Sequence, residues 1–324
     1  MKIINNITPF NDLFYKNCFY NSLFPIIKCF NKSMMPILLN DVIVYETRSK
    51  ENLDFACKYL SISKINDLLD NMGIKMKSLG YTEDLIFSIK KSIDKNRPII
   101  LRIDPFYMPI RKDAYKKQHQ IHTILVYGYD DNMLNIIELK HRDTLSYEEC
   151  TISFEDINNS YKGYYENFKD SYKAPSYFEF NNDELKEKDD KKVNYYEIFK
   201  RNMRDKKSEL LNGFTNLDEF IQKLKKIIID VKELNEFTEG IIFSLNSVIN
   251  AKYSEIYTLS MLNGIENKVL DLQKECNSLW QLIRGRLVKY NFTGKYKRET
   301  FIEVVEMLDR ILEFELYYLK YITV

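Results

Sequence analysis

Two residue types suited to nucleophilic catalysis at neutral pH are scarce in this chain, with 3 histidines and 5 cysteines among 324 residues. Cys18 stands directly after Asn17, while His119, His122 and His141 fall within one short stretch. Asn is a good helix N-cap, so Cys18 is expected in the first turn of a helix. There the dipole lowers a thiol pKa, and free backbone N–H groups can hold an oxyanion. His122 opens the apolar run HTILVYGY (122–129), which Asp130, Asp131 and Asn132 join to MLNIIEL (133–139). That pattern predicts a β-hairpin. With the turn centred near Asp131, paired positions sum to about 260–262, and an even sum sets even-numbered residues opposite even-numbered ones. His122 and Glu138 then share a face, where the carboxylate can fix the imidazole tautomer. Asp143 has the other parity and lies past the strand, which makes it the alternative third member. A nucleophilic Cys at an early helix start, with His and a carboxylate on later strands, is the papain-type arrangement.

Several neighbours carry two readings each. Asn11 and Asn17 are candidate side-chain oxyanion donors, although Asn17 is equally explained as the helix cap. Asp104 ends a strand just before the loop leading to His122, so it borders the pocket or caps the turn at Pro105. Tyr107 and Tyr115 line an acyl channel or simply pack, in a chain with 24 tyrosines. His119 reads as an exposed loop residue beside the site. A three-His metal site fits poorly, because residues three apart on a strand face opposite sides, and no metal or other cofactor is expected. The basic loop RKDAYKK (111–117) either docks an acidic partner or is ordinary surface charge. Cys29, Cys57, Cys150 and Cys276 are expected to be inert thiols.

The elements that must hold these residues follow from local pattern. A helix is predicted over 18–30, with Pro25 able to kink or shorten it. VIVYE (42–46) and IILRI (99–103) read as strands, and residues 50–60 and 82–94 as helices, with breaks at Gly73 and Gly80. The polar segment 169–192 reads as a linker or mobile loop. Beyond it, apolar residues recur every three or four positions. One stripe runs Leu217, Phe220, Ile221, Leu224, Ile227, Ile228, Val231, and another Phe301, Val304, Val305, Leu308, Ile311, Leu312. The expectation is a catalytic domain over 1–168, then a helical bundle over 193–324 that covers the substrate.

Composition bounds the rest. Hydrophobic residues make up 45% of the chain, enough for a sizeable core. Its 48 basic and 47 acidic residues leave a net charge of +1, which argues against a general nucleic-acid binder. Five cysteines without a CxxC pair suit a reducing compartment. The N-terminus lacks the apolar stretch of a signal peptide, and no run of about 18 apolar residues spans a membrane. A cytoplasmic location is expected.

The stretch 97–139 combines a strand ending in Asp-x-x-Tyr-x-Pro (Asp104, Tyr107, Pro109), a Tyr/Lys-rich loop, and His122 before an apolar strand and Gly-Tyr-Asp. It resembles the N-terminal domain of the butirosin-biosynthesis protein H (BtrH) family, and Asn17, Cys18 and Ser22 fit that family's nucleophile region. The resemblance implies an α+β, papain-like (C39-like) cysteine-protease fold with an antiparallel sheet, followed by a helical C-terminal part. It also implies a Cys-His-acid triad that moves an acyl group from the phosphopantetheine thioester of a carrier protein to a small amine, such as a diamine. Glu138 departs from the Asp or Asn usual at the third position. A peptidase or thioesterase with the same triad, and a non-catalytic binding protein, are the other readings.

Overall fold

A computed structural model of the chain describes residues 1–49, 53–141, 146–168, 174–183 and 193–324. The chain divides into two compact units, Met1–Met34 with Lys64–Lys191, and Met35–Ser63 with Lys192–Val324. The protein is of the α+β class, with a helical C-terminal part.

The first unit is organised by a seven-stranded antiparallel sheet. Its strands are β1 (Lys2–Ile3), β4 (Ile74–Leu79), β5 (Ile99–Ile103), β6 (His122–Tyr129), β7 (Met133–His141), β8 (Ser146–Ser153) and β9 (Tyr177–Asn182). They lie in the order β4-β9-β5-β6-β7-β8, with β1 added against β6. Helices α1 (Cys18–Cys29), α3 (Ile65–Asn71), α4 (Leu85–Ile93) and α5 (Phe154–Asn167) belong to the same unit. Every residue of β6 from His122 to Gly128 is buried, which is why this strand reads as an unbroken apolar run. A Cβ at Gly128 would lie 2.9 Å from both Ile3 Cγ1 and the Lys2 carbonyl oxygen, so glycine lets β1 close over the ladder there.

Strand β9 corrects the linker expected over 169–192. Residues 169–173 and 184–192 lie outside the described residues, but Tyr177–Asn182 forms a strand between β4 and β5. Tyr177, Phe178 and Phe180 are buried, and this apolar burial outweighs the polar composition of the flanks.

The second unit combines a hairpin with helices. Strands β2 (Asp41–Ser49) and β3 (Asp54–Ser61) pair antiparallel, preceded by the short α2 (Met35–Leu38). The helix expected over 50–60 is therefore strand β3 from Asp54 onward. Ladder pairing with β2 and burial of Phe55, Ala56 and Cys57 decide the conformation. The hairpin also falls with the C-terminal helices and not with the first part of the chain as expected. Those helices are α6 (Tyr195–Asp205), α7 (Lys207–Ile229), α8 (Val231–Ser260), α9 (Asn267–Thr293) and α10 (Arg298–Thr323). Their stripes form the core as the spacing predicts, except that Val231 is exposed at the start of α8. Phe55 stacks on Phe220 with ring centroids 4.1 Å apart, which ties the hairpin to α7. Each fully buried Leu, Ile or Phe contributes about 1.5–3 kcal/mol, so these stripes dominate the unit's stability. No described helix is long and apolar enough to cross a membrane.

Candidate active site

Cys18 is delivered by a tightly tied segment. The backbone turns at Lys16 (φ 53°) and extends at Asn17, whose side chain accepts the Phe19 N–H at 3.1 Å. The buried Asn21, one turn into α1, accepts the Tyr15 N–H at 3.0 Å and donates to the Leu13 carbonyl at 2.9 Å. The helix thus grips the strand of chain that leads into it, and Cys18 becomes its first residue. Helix α1 runs on through Pro25 to Cys29, so the proline does not shorten it. Cys18 keeps part of its surface open to solvent, as does Cys29, whereas Ser22 is buried.

The hairpin carries the second half of the site. Next to the turn Gly128 pairs with Asn135 and Tyr129 with Leu134, an odd sum that departs from the even one expected. Past the irregularity between Val126 and Gly128, Leu125 pairs with Ile137 and Val126 with Ile136, and the even sum is restored. His122 Nε2 lies 2.7 Å from Glu138 Oε1, and both side chains are buried. The same Glu138 oxygen accepts the Leu139 N–H at 2.5 Å and Arg111 Nη1 at 3.1 Å. Arg111, itself buried, closes a two-pronged pair with Asp113 through Nε (2.9 Å) and Nη2 (2.8 Å). One carboxylate oxygen is therefore fixed from three sides, which holds the imidazole by its Nε2.

The electrostatics follow from this row of alternating charges. Burial alone raises the Cys18 thiol, but the His122 charge and its hydrogen bond outweigh it, aided by hydrogen bonds from Thr123. The thiol comes down to about 7. Burial lowers the His122 imidazolium, yet the facing Glu138 and Cys18 charges raise it to about 10. Between about 7 and about 10 the resting pair is thus a thiolate facing an imidazolium. Asp113 is held down to about 2, first by its hydrogen bonds to Arg111.

The structure brings Cys18, His122 and Glu138 together. Asp143 lies outside the described residues. Asn17 is occupied as the helix cap through its oxygen, as one of its two readings had it. Asn11 donates to the Tyr147 carbonyl at 2.9 Å and accepts the Tyr147 N–H at 2.7 Å, so its amide clasps the end strand β8. Asp104 is fully buried and accepts the Phe106 N–H at 3.1 Å, the turn-capping role. It also lies 2.6 Å from His119 Nδ1 and accepts Asn167 Nδ2 at 3.1 Å, forming a second imidazole–carboxylate pair. His119 is 40% exposed and stacks on Phe106, in keeping with the exposed loop residue expected. The Tyr107 ring packs where a Cβ on Gly163 would stand, so that ring has a packing role on α5. Tyr115 is half-buried and carries Lys116 over its ring. Among the described residues, no group of three His, Cys, Asp or Glu could hold a metal ion.

Sequence reasoning missed Arg111 and Asp113. The loop RKDAYKK reads as uniformly basic, but its first residue turns inward while Lys112, Lys116 and Lys117 stay exposed. The available signal was the Asp two residues after that Arg, a pair able to neutralise itself on burial.

Residues 43–137 match the family model described as butirosin biosynthesis protein H, N-terminal, which supports that family for this part of the chain. The match takes in Asp104, Arg111, Asp113, His119 and His122, while Cys18 precedes it and Glu138 follows it directly. No curated protein matches the chain.

Proposed function

We propose that the protein is a cysteine-dependent acyltransferase of papain-like design that forms amides in natural-product biosynthesis. The observation that carries the reading is the Cys18–His122–Glu138 row with its thiol lowered to about 7. The match to a biosynthetic family over 43–137 is in keeping with it. The Cys18 thiolate attacks the carbonyl carbon of a thioester held on the phosphopantetheine arm of a carrier protein. The negative charge moves to the carbonyl oxygen, and the first N–H groups of α1 lie at the end of the helix that delivers the sulfur. As the tetrahedral intermediate collapses, the carbon–sulfur bond to the carrier breaks. The departing thiolate takes its proton from the His122 imidazolium. His122 is then neutral, and an amine attacks the Cys18 thioester while His122 accepts the amine proton. The amide forms, the bond to Cys18 breaks, and the thiolate–imidazolium pair returns. Glu138 keeps the imidazole in one orientation through both steps. The exposed lysines of the 111–117 loop suit an acidic carrier surface. A small diamine, the acceptor that the family resemblance implies, is the first to try.

The test is single-turnover reaction with an acyl-loaded carrier protein, with and without diamine. Amide as the main product supports transfer. Free acid at the same rate whether or not amine is present would make the protein a thioesterase or peptidase instead. No loss of acyl group in either case would make it a binding protein.

A further inference from the structure

Tyr147, on β8, is nearly fully buried, and its hydroxyl has no hydrogen-bond partner among the described residues. A buried hydroxyl without a partner is unfavourable, and such groups persist where a ligand atom completes them. Its surroundings are those of the site. Burial raises the phenol first, and the Cys18 and Glu138 charges raise it further, while Arg111 opposes them. The hydroxyl therefore stays protonated at working pH and can donate a hydrogen bond without giving up its proton.

The backbone of Tyr147 is placed by the segment that delivers the nucleophile. Asn11 clasps both the N–H and the carbonyl of Tyr147, at 2.7 and 2.9 Å. Asn21 in turn ties Leu13 and Tyr15 to the helix that begins at Cys18. One run of chain from Asn11 to Asn21 thus ties the backbone of Tyr147 to the helix that begins at Cys18. Accuracy of that kind is what stabilisation of a developing charge demands.

We propose that the Tyr147 hydroxyl is an oxyanion donor of the Cys18 site, binding the carbonyl oxygen of the thioester as it becomes negative. Asn11 is then a positioning residue acting through Tyr147. The assignment rests on the acyl-transfer reading above, in which a tetrahedral intermediate forms at Cys18. Glu138 Oε2 is also buried without a partner among the described residues, so a hydrogen bond from Tyr147 to Glu138 is the competing role.

Tyr147→Phe separates the two, because alkylation of Cys18 by iodoacetamide needs the thiolate but forms no oxyanion. The expected result is a fall in single-turnover acylation from carrier thioester of about 100-fold, the usual cost of losing one such donor. The rate and pH midpoint of alkylation stay at wild-type values. Asn11→Ala should give a smaller fall with the same signature, which guards against misfolding of the first variant. An unchanged acylation rate in Tyr147→Phe overturns the assignment and leaves Cys18 as nucleophile intact. An upward shift in the alkylation midpoint overturns it in favour of the Glu138 role. Absence of any acyl adduct on the wild-type protein overturns both this assignment and the reading it rests on.

Discussion

Cys18 and Cys276 each sit beside a buried ion pair, and their thiols move in opposite directions. Cys276, in the helical unit, donates to Glu315 Oε1 at 3.2 Å, and Lys252 lies 2.7 Å from that same oxygen. Lys252 is also shared with Glu255 at 2.7 Å and Gln273 at 2.9 Å. Burial and the Glu315 charge push this thiol well above its ordinary range. At Cys18 the group in hydrogen-bond contact is the imidazolium, and the carboxylate stands behind it. The order of charges, more than burial, separates the lowered thiol from the raised one. In the helical unit the cation is spent on two carboxylates, whereas in the first unit it is turned toward the sulfur.

The largest effect is expected at Glu138. Glu138→Gln should lower single-turnover acylation by about 100-fold, because the imidazole loses the anion that orients it and sustains its charge. Asp143→Asn should leave the rate nearly unchanged. Equal losses in the two variants would remove Glu138 from its assigned role.

A smaller effect is expected at His122. In His122→Ala the cation that lowers Cys18 is gone, and the thiol should return toward 9.0 or above. A lowered pKa means the thiolate is present above about 7 and is lost as pH falls through it. At pH 7 about half of wild-type Cys18 is thiolate against ~1% in the variant, so alkylation should fall about 50-fold, with its midpoint two units higher. Cys276 labelling should be equally slow in both proteins. A midpoint that stays near 7 in His122→Ala would mean that the helix start, and not the imidazolium, lowers the thiol.

The parts of this arrangement legible in the sequence were those written in short-range pattern. Asn17 before Cys18 marks a helix start, and the hairpin 122–139 is marked by its turn residues. The shared parity of His122 and Glu138 is not set at the turn, where paired positions have an odd sum, but by the irregularity between Val126 and Gly128. The helical stripes from Leu217 to Leu312 likewise declare their own core. What escaped depends on distant partners. Arg111 is basic in a basic loop, and only the closeness of Glu138 turns it inward. Tyr147 is one of 24 tyrosines, distinguished by an Asn 136 residues earlier in the chain. Strands β3 and β9 take their conformation from the neighbours they pair with, against local composition that favours a helix in one case and a loop in the other.

The central claim is that Cys18 carries the acyl group. Its most direct test is intact-mass measurement, with peptide mapping, after brief exposure of wild-type and Cys18→Ala protein to an acyl-loaded carrier without amine. One acyl adduct is expected on wild type, mapped to Cys18, and none on the variant. An adduct that persists in Cys18→Ala, or wild-type protein that stays unmodified while the carrier keeps its load, would contradict it.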